Sequence, residues 1–162
     1  MPVSAIMKKM IAFSEGNLHD INHFLKVYAY AKTIGELEQL DPETQLILEI
    51  AAITHDIACP LCREKYGNTN GKYQEQEGVP MVRDFLKDTG LDEQQIERVV
   101  WLVGHHHTLS PVQGIDHQIL IEADYLVNAD ESRYPAENIV HTKQTIFKTD
   151  SGIALLDSVY RL

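Results

Sequence analysis

The chain has 162 residues, 44% hydrophobic and 23% charged, enough for one domain with a substantial core and ordinary for a globular protein. Its net charge of −10, from 24 acidic and 14 basic residues without a tight basic cluster, argues against duplex nucleic acid as a partner. No apolar run approaches bilayer-spanning length, and Met1 to Met10 shows neither an apolar core nor a small-residue cleavage site, so a cytoplasmic location without a membrane partner is expected.

Almost every segment reads as helix. From about Leu18 to Leu40, the residues Leu18, Ile21, Leu25, Tyr28 and Ala31 form an amphipathic stripe. Asp41-Pro42-Glu43 supplies an N-cap, a proline at the first helical position and an acidic first turn. The helix it opens contains Leu46, Ile47, Leu48, Ile50, Ala51, Ala52 and Ile53, apolar nearly all round, and is expected at the centre of the core. Residues 59–73 carry turn signals and are expected to be irregular. A helix from about Gln74 to Lys87 stops at Thr89-Gly90, and Asp92 is placed to cap the next, which reaches the run His105-His106-His107. After a loop at 110–114, another helix begins near Ile115, Pro135 breaks the chain, and one or two helices fill residues 136–162. No stretch alternates with period two. The expected fold is a single all-α domain over 1–162, a bundle of about six to eight helices.

The chemistry concentrates at a few positions. Leu48, Ala51, Ala52 and His55 fall at i, i+3, i+4 and i+7, so His55 continues an apolar stripe and Asp56 follows it directly. A carboxylate this near the core costs several kcal/mol unless it is paired or bound to a cation. His23 precedes Val27, Tyr30 and Ile34 on another helical face, and Asp124 sits where the stripe of Leu120, Ala123 and Val127 calls for an apolar side chain. Three helices thus each turn a metal-competent group inward. Two imidazoles and two carboxylates suit Zn, Mn, Fe, Co or Ni rather than Ca. Taken singly, each residue is equally readable as a hydrogen-bonded core His or a solvated Asp.

These residues and their surroundings resemble the HD superfamily of metal-dependent phosphohydrolases. The likeness rests on Asn22-His23-Phe24-Leu25-Lys26-Val27-Tyr28, on Ile50-Ala51-Ala52-Ile53-Thr54-His55-Asp56-Ile57, on Glu122-Ala123-Asp124-Tyr125-Leu126 and on Gly104-His105-His106-His107, and spans about residues 17–130. It implies one divalent metal ion (Mn, Fe, Co, Ni, Zn or Mg) held by His23, His55, Asp56 and Asp124. It also implies hydrolysis of a small phosphorylated substrate such as a nucleotide, by a water that the metal activates and Asp56 orients or deprotonates. Ile57-Ala58-Cys59 stands where many relatives have Ile-Gly-Lys, and Gln74 stands where two-metal relatives place a histidine, which favours a single ion.

Several assignments remain open on sequence. Consecutive helical residues point about 100° apart, so of the histidine run one residue, His105 or His106, is expected to bind a second metal or donate to substrate; the alternative is a helix C-terminus that favours imidazolium. Arg63 and Lys65 are candidates for a substrate phosphate, or belong to a solvated loop. Cys59 and Cys62 read as buried or pocket-lining thiols. Around Trp101 and in the C-terminal helix the chain could offer a homodimer face. Two other functions fit the same fold: a non-catalytic metal- or nucleotide-binding module, and a di-iron oxygenase.

Overall fold

A computed structural model describes residues 2–162. Among these residues the chain forms nine helices and no strand: α1 (Val3–Phe13), α2 (Leu18–Leu37), α3 (Pro42–Thr54), α4 (Cys59–Tyr66), α5 (Gly71–Leu86), α6 (Glu93–Val103), α7 (Ile115–Glu131), α8 (Ala136–Thr145) and α9 (Asp150–Tyr160). The all-α expectation holds. The count passes the expected range because Val3–Phe13, not assigned on sequence, and part of the segment read as irregular are both helical. Pro60 sits in the first turn of α4, where its missing N–H costs nothing, and Gly67 ends the helix in the left-handed conformation (φ 73°).

Helix starts follow local chemistry. Asn17 accepts from Asp20 N, Asp41 from Thr44 N, and Asp92 forms a capping box with Gln95. Every residue of α3 from Ile47 to Thr54 is buried. It packs between α2, α7, α6 and α1, while α5 pairs with α6 and carries α4. One core draws Ile6 and Met10 from α1, Phe24, Val27, Ala31 and Ile34 from α2, Ile119, Leu120 and Ala123 from α7, and Leu156 from α9 around this central rod.

The burial of α3 amends one expectation. Pro42–Tyr66, which joins α3 and α4 through the turn at 55–58, is 25 residues long with a mean hydropathy of 1.3 in its most apolar window, enough by length and composition to cross a membrane; 72% of that window is buried inside the protein, so its apolar character serves the core.

Candidate metal centre

Three helices deliver the cluster. His23 lies on the buried face of α2 with Phe24 and Val27, His55 and Asp56 occupy the turn where α3 ends, and Asp124 projects from α7. His23 Nε2 stands 3.2 Å from His55 Nε2, 3.1 Å from Asp124 Oδ1 and 3.1 Å from Asp56 Oδ2. His55 Nε2 lies 3.4 Å from Asp56 Oδ2 and 3.3 Å from Asp124 Oδ1. Neighbouring donors on an ion with bonds of about 2.1 Å are spaced roughly 3.0 Å apart in octahedral and roughly 3.4 Å in tetrahedral geometry. The observed spacings fall in that interval, and His23, His55 and Asp56 form a group able to hold a metal ion.

The ring orientations fit the same purpose. His55 Nδ1 donates to Ala52 O at 2.7 Å and His23 Nδ1 to Glu131 Oε1 at 2.6 Å, which leaves each Nε2 lone pair facing the carboxylates. Metal-bound imidazoles are held in this way, their outer N–H tied to an acceptor. Two neutral imidazoles and two carboxylates also balance a divalent cation.

Charge tells the same story. Burial opposes ionisation of all four groups, yet their mutual interactions outweigh it. Hydrogen bonds to Asp124 and Asp56, with the charges of both, push His23 up to about 11. The two carboxylate charges, with hydrogen bonds to both, push His55 up to about 10. In return His55 and its neighbouring imidazoles hold Asp56 and Asp124 below the usual carboxylate range. Without a metal, two protons therefore stand in for its charge.

A pH dependence follows. Because both His values are raised above 6.5, their contribution to the stability of the metal-free protein is complete below about pH 6.5 and is lost as pH climbs towards 10 and 11. A bound cation replaces those protons, so metal affinity rises over the same window. Melting temperatures of chelator-treated and metal-loaded protein should diverge as pH is raised from 6.5 to 9.5; parallel curves would contradict the shared site.

Glu131 escaped the sequence reading, although it lies at i+7 from Asp124 on α7, with Asn128 at i+4 on the same face. It accepts from His23 and from Lys26 Nζ at 3.4 Å. Glu131→Ala should weaken metal binding about 10- to 100-fold by freeing the His23 ring, with much of the loss recovered in Glu131→Gln, which keeps an acceptor. Competition with a chromophoric chelator measures this; unchanged affinity in the alanine variant would deny Glu131 the role.

Beside the first group, Asp56, His106 and His107 form a second in which ligand atoms lie within 4.8 Å of one another. His106 is buried, donates from Nδ1 to Val103 O, and presents Nε2 to Asp56 Oδ1 at 3.4 Å and Gln74 Oε1 at 3.2 Å. Gln74 Oε1 also meets His107 Nε2 at 2.9 Å. Burial and the neighbouring His106 push His107 down to about 4, so it is neutral at ordinary pH.

His105, a catalytic candidate on sequence, points elsewhere. Its ring stacks on Trp101, centroids 4.0 Å apart and 11° from parallel, and its Nδ1 donates to Trp101 O. Arg98 covers the same indole at 4.6 Å, and His117 meets it edge-on. Trp101 is thus engaged within the chain.

The two basic candidates separate as well. Arg63 lines the cavity above the cluster, about 210 Å³ in volume, and grips Asp20 with both terminal nitrogens at 2.8 and 2.7 Å. Lys65 lies outside it, paired with Glu77 at 2.8 Å, and so is not placed to meet a substrate there. Cys59 and Cys62 are free and buried, and Cys59 reaches the cavity wall.

No curated protein matches the chain. In structure it is similar to a predicted HD superfamily hydrolase from an uncultured Thermotogales bacterium, with a TM-score of 0.69 and 23% identity over 98% of this chain and 84% of that one, a likeness in fold. The family model described as the HD domain matches residues 20–129, a span that opens just before His23 and closes just after Asp124. With those two residues and the His55-Asp56 pair meeting at one point inside that span, the chain belongs to the HD domain family.

Proposed function

We propose that the protein is a metal-dependent phosphohydrolase acting on a small phosphate ester such as a nucleotide. The observation that carries this reading is the convergence of His23, His55, Asp56 and Asp124 at 3.1–3.4 Å spacings, with all but the fully buried His55 lining an open cavity. A divalent cation held there would bring water towards ionisation at neutral pH and offset charge on a phosphoryl group.

The chain's own groups divide the remaining work. Asp56 turns Oδ2 to His23 and His55 and Oδ1 to His106, so one oxygen serves the cluster while the other can receive a proton from an attacking water. His106, with Nδ1 tied to Val103 O, turns Nε2 to that same oxygen and lines the adjoining cavity, where it would donate to a substrate oxygen once protonated. Arg63 is the guanidinium within reach, and a phosphate would compete with Asp20 for its fork of donors.

We place one ion in the first group. The second group offers a smaller ligand set, into which Gln74 brings a neutral amide.

Elemental analysis of purified protein, followed by a panel of phosphate esters with the metal found and with Mn, Co, Ni and Zn, tests the reading. Release of inorganic phosphate that stops with chelator and returns with metal is the expected result. Full metal occupancy with no ester cleaved would favour a non-catalytic binding module instead.

A further inference from the structure

A second cavity opens beside the first, about 290 Å³ in volume, and the two share Asp124, Asn128 and His107 as a common wall. Their linings differ in kind. The cavity over the cluster is edged by the carboxylates Asp20, Asp56, Asp124 and Glu131. Among the described residues, those lining the neighbour include no Lys or Arg, and Asp124, at the junction, is its sole carboxylate.

Apolar and aromatic side chains make up most of that second wall. Ile121 is buried at its base, and Tyr125 and Tyr134 face each other with ring centroids 5.7 Å apart and planes 35° from parallel. Besides Asp124, its polar groups are the imidazoles of His106 and His107, the amides of Asn128 and Asn138 and the hydroxyl of Thr142. The Tyr125 hydroxyl donates to Asn138 Oδ1, which fixes that amide with its N–H groups left for another partner. Cavities of this kind bury an apolar body and orient it through a few hydrogen bonds.

We infer that this cavity receives the alcohol part of the substrate and selects for one that is uncharged, flat and hydrogen-bonding, so that the enzyme accepts phosphate monoesters whose only anionic group is the phosphate itself. The inference rests on the phosphohydrolase reading for the position of the phosphate, over the cluster. A second anion on the alcohol part would lie in a cavity without a Lys or Arg to pair with, beside Asp124 and near three further carboxylates, and would lose hydration without a strong counter-charge. Asn138, on the exposed side of α8, and Thr142 one turn later are the specificity-determining positions.

The test uses the full chain loaded with its metal. Phenyl phosphate should be cleaved with kcat/KM at least about thirtyfold above that of 4-carboxyphenyl phosphate, and Asn138→Lys or Thr142→Lys should bring the ratio below about threefold. Equal rates in the unmodified protein, or an undiminished preference in both lysine variants, would overturn the inference while leaving the hydrolase reading in place. A binding arm needs no turnover. With inorganic phosphate saturating the metal, phenol should shift the side-chain amide resonances of Asn128 and Asn138, and 4-hydroxybenzoate should not. That pattern with neither ester cleaved would uphold the neutral cavity and end the hydrolase reading; absence of any phenol shift would overturn the inference itself.

Discussion

Asp124→Ala should leave the purified protein without its metal and cut phosphate-ester hydrolysis by at least about a thousandfold, equivalent to about 4 kcal/mol of transition-state stabilisation. The residue is 7% exposed, and its Oδ1 stands at hydrogen-bond distance from both His23 and His55. Removing it takes one of four donors and half of the negative charge that balances a divalent ion, and a neutral water filling the space would restore none of that charge. It also removes much of what keeps the two buried imidazoles charged in the absence of metal, so His23 and His55 should titrate nearer to neutrality in the variant. Asp124→Asn separates the two effects. It preserves the volume and one oxygen, so the packing around the site is kept, while metal affinity still collapses for want of charge. Equilibrium dialysis with elemental analysis reads the metal, and phosphate release reads the activity. If Asp124→Ala kept wild-type metal content, the cluster would not be the binding site.

The fold was legible where local chemistry and burial agree. Asp41-Pro42 set the start of α3, and its all-round apolar composition set its central place, both observed. Segment 59–66 was harder, because Cys-Pro reads as a turn while the same proline is tolerated in the first turn of a helix. The side chains now seen around the cluster could be nominated one by one from their stripes, yet what decides their function is distance across three helices, and sequence spacing carries no such information. Competition between neighbours explains the rest. Trp101 takes His105 by stacking at i+4, so His106 and His107 are the members of the run that face Asp56 and Gln74. Glu77 takes Lys65 away from the cavity, while Asp20 holds Arg63 in its wall. Glu131 was hidden because an acid in the last turn of a helix looks solvated until the partner opposite it is known.

Glu122 should prove as important to folding as Asp124 is to metal binding, with Glu122→Ala costing about 3–5 kcal/mol and lowering the melting temperature by roughly 10 °C. The residue is fully buried on α7 and collects four donors. Gln118 Nε2 reaches its Oε2 at 2.6 Å, Lys148 N and Thr149 N reach the same oxygen at 2.9 and 3.1 Å, and Thr149 Oγ1 donates to Oε1 at 2.6 Å. The carboxylate thereby fastens the start of α9 to α7, at the point where Thr149 caps α9. The approach is so close that a Cβ built on Gly152 would lie 1.9 Å from Oε1, so Gly152→Ala should lose stability through the same contact. Alanine at 122 strands the buried Thr149 N–H and hydroxyl, the Gln118 amide and the part-buried Lys148 N–H, and a buried donor left unpaired costs more than the bond it formed. Two residues along a helix is a turn of about 200°, so Glu122 and Asp124 look out from opposite sides of α7. Metal affinity of the folded Glu122→Ala protein should therefore stay within about threefold of the wild type, the change expected when neither a donor nor its orienting partner is touched. Thermal unfolding and metal titration on the same preparation separate the two carboxylates: a melting temperature within about 2 °C of the wild type, or loss of metal from protein that is still folded, would refute this division of labour.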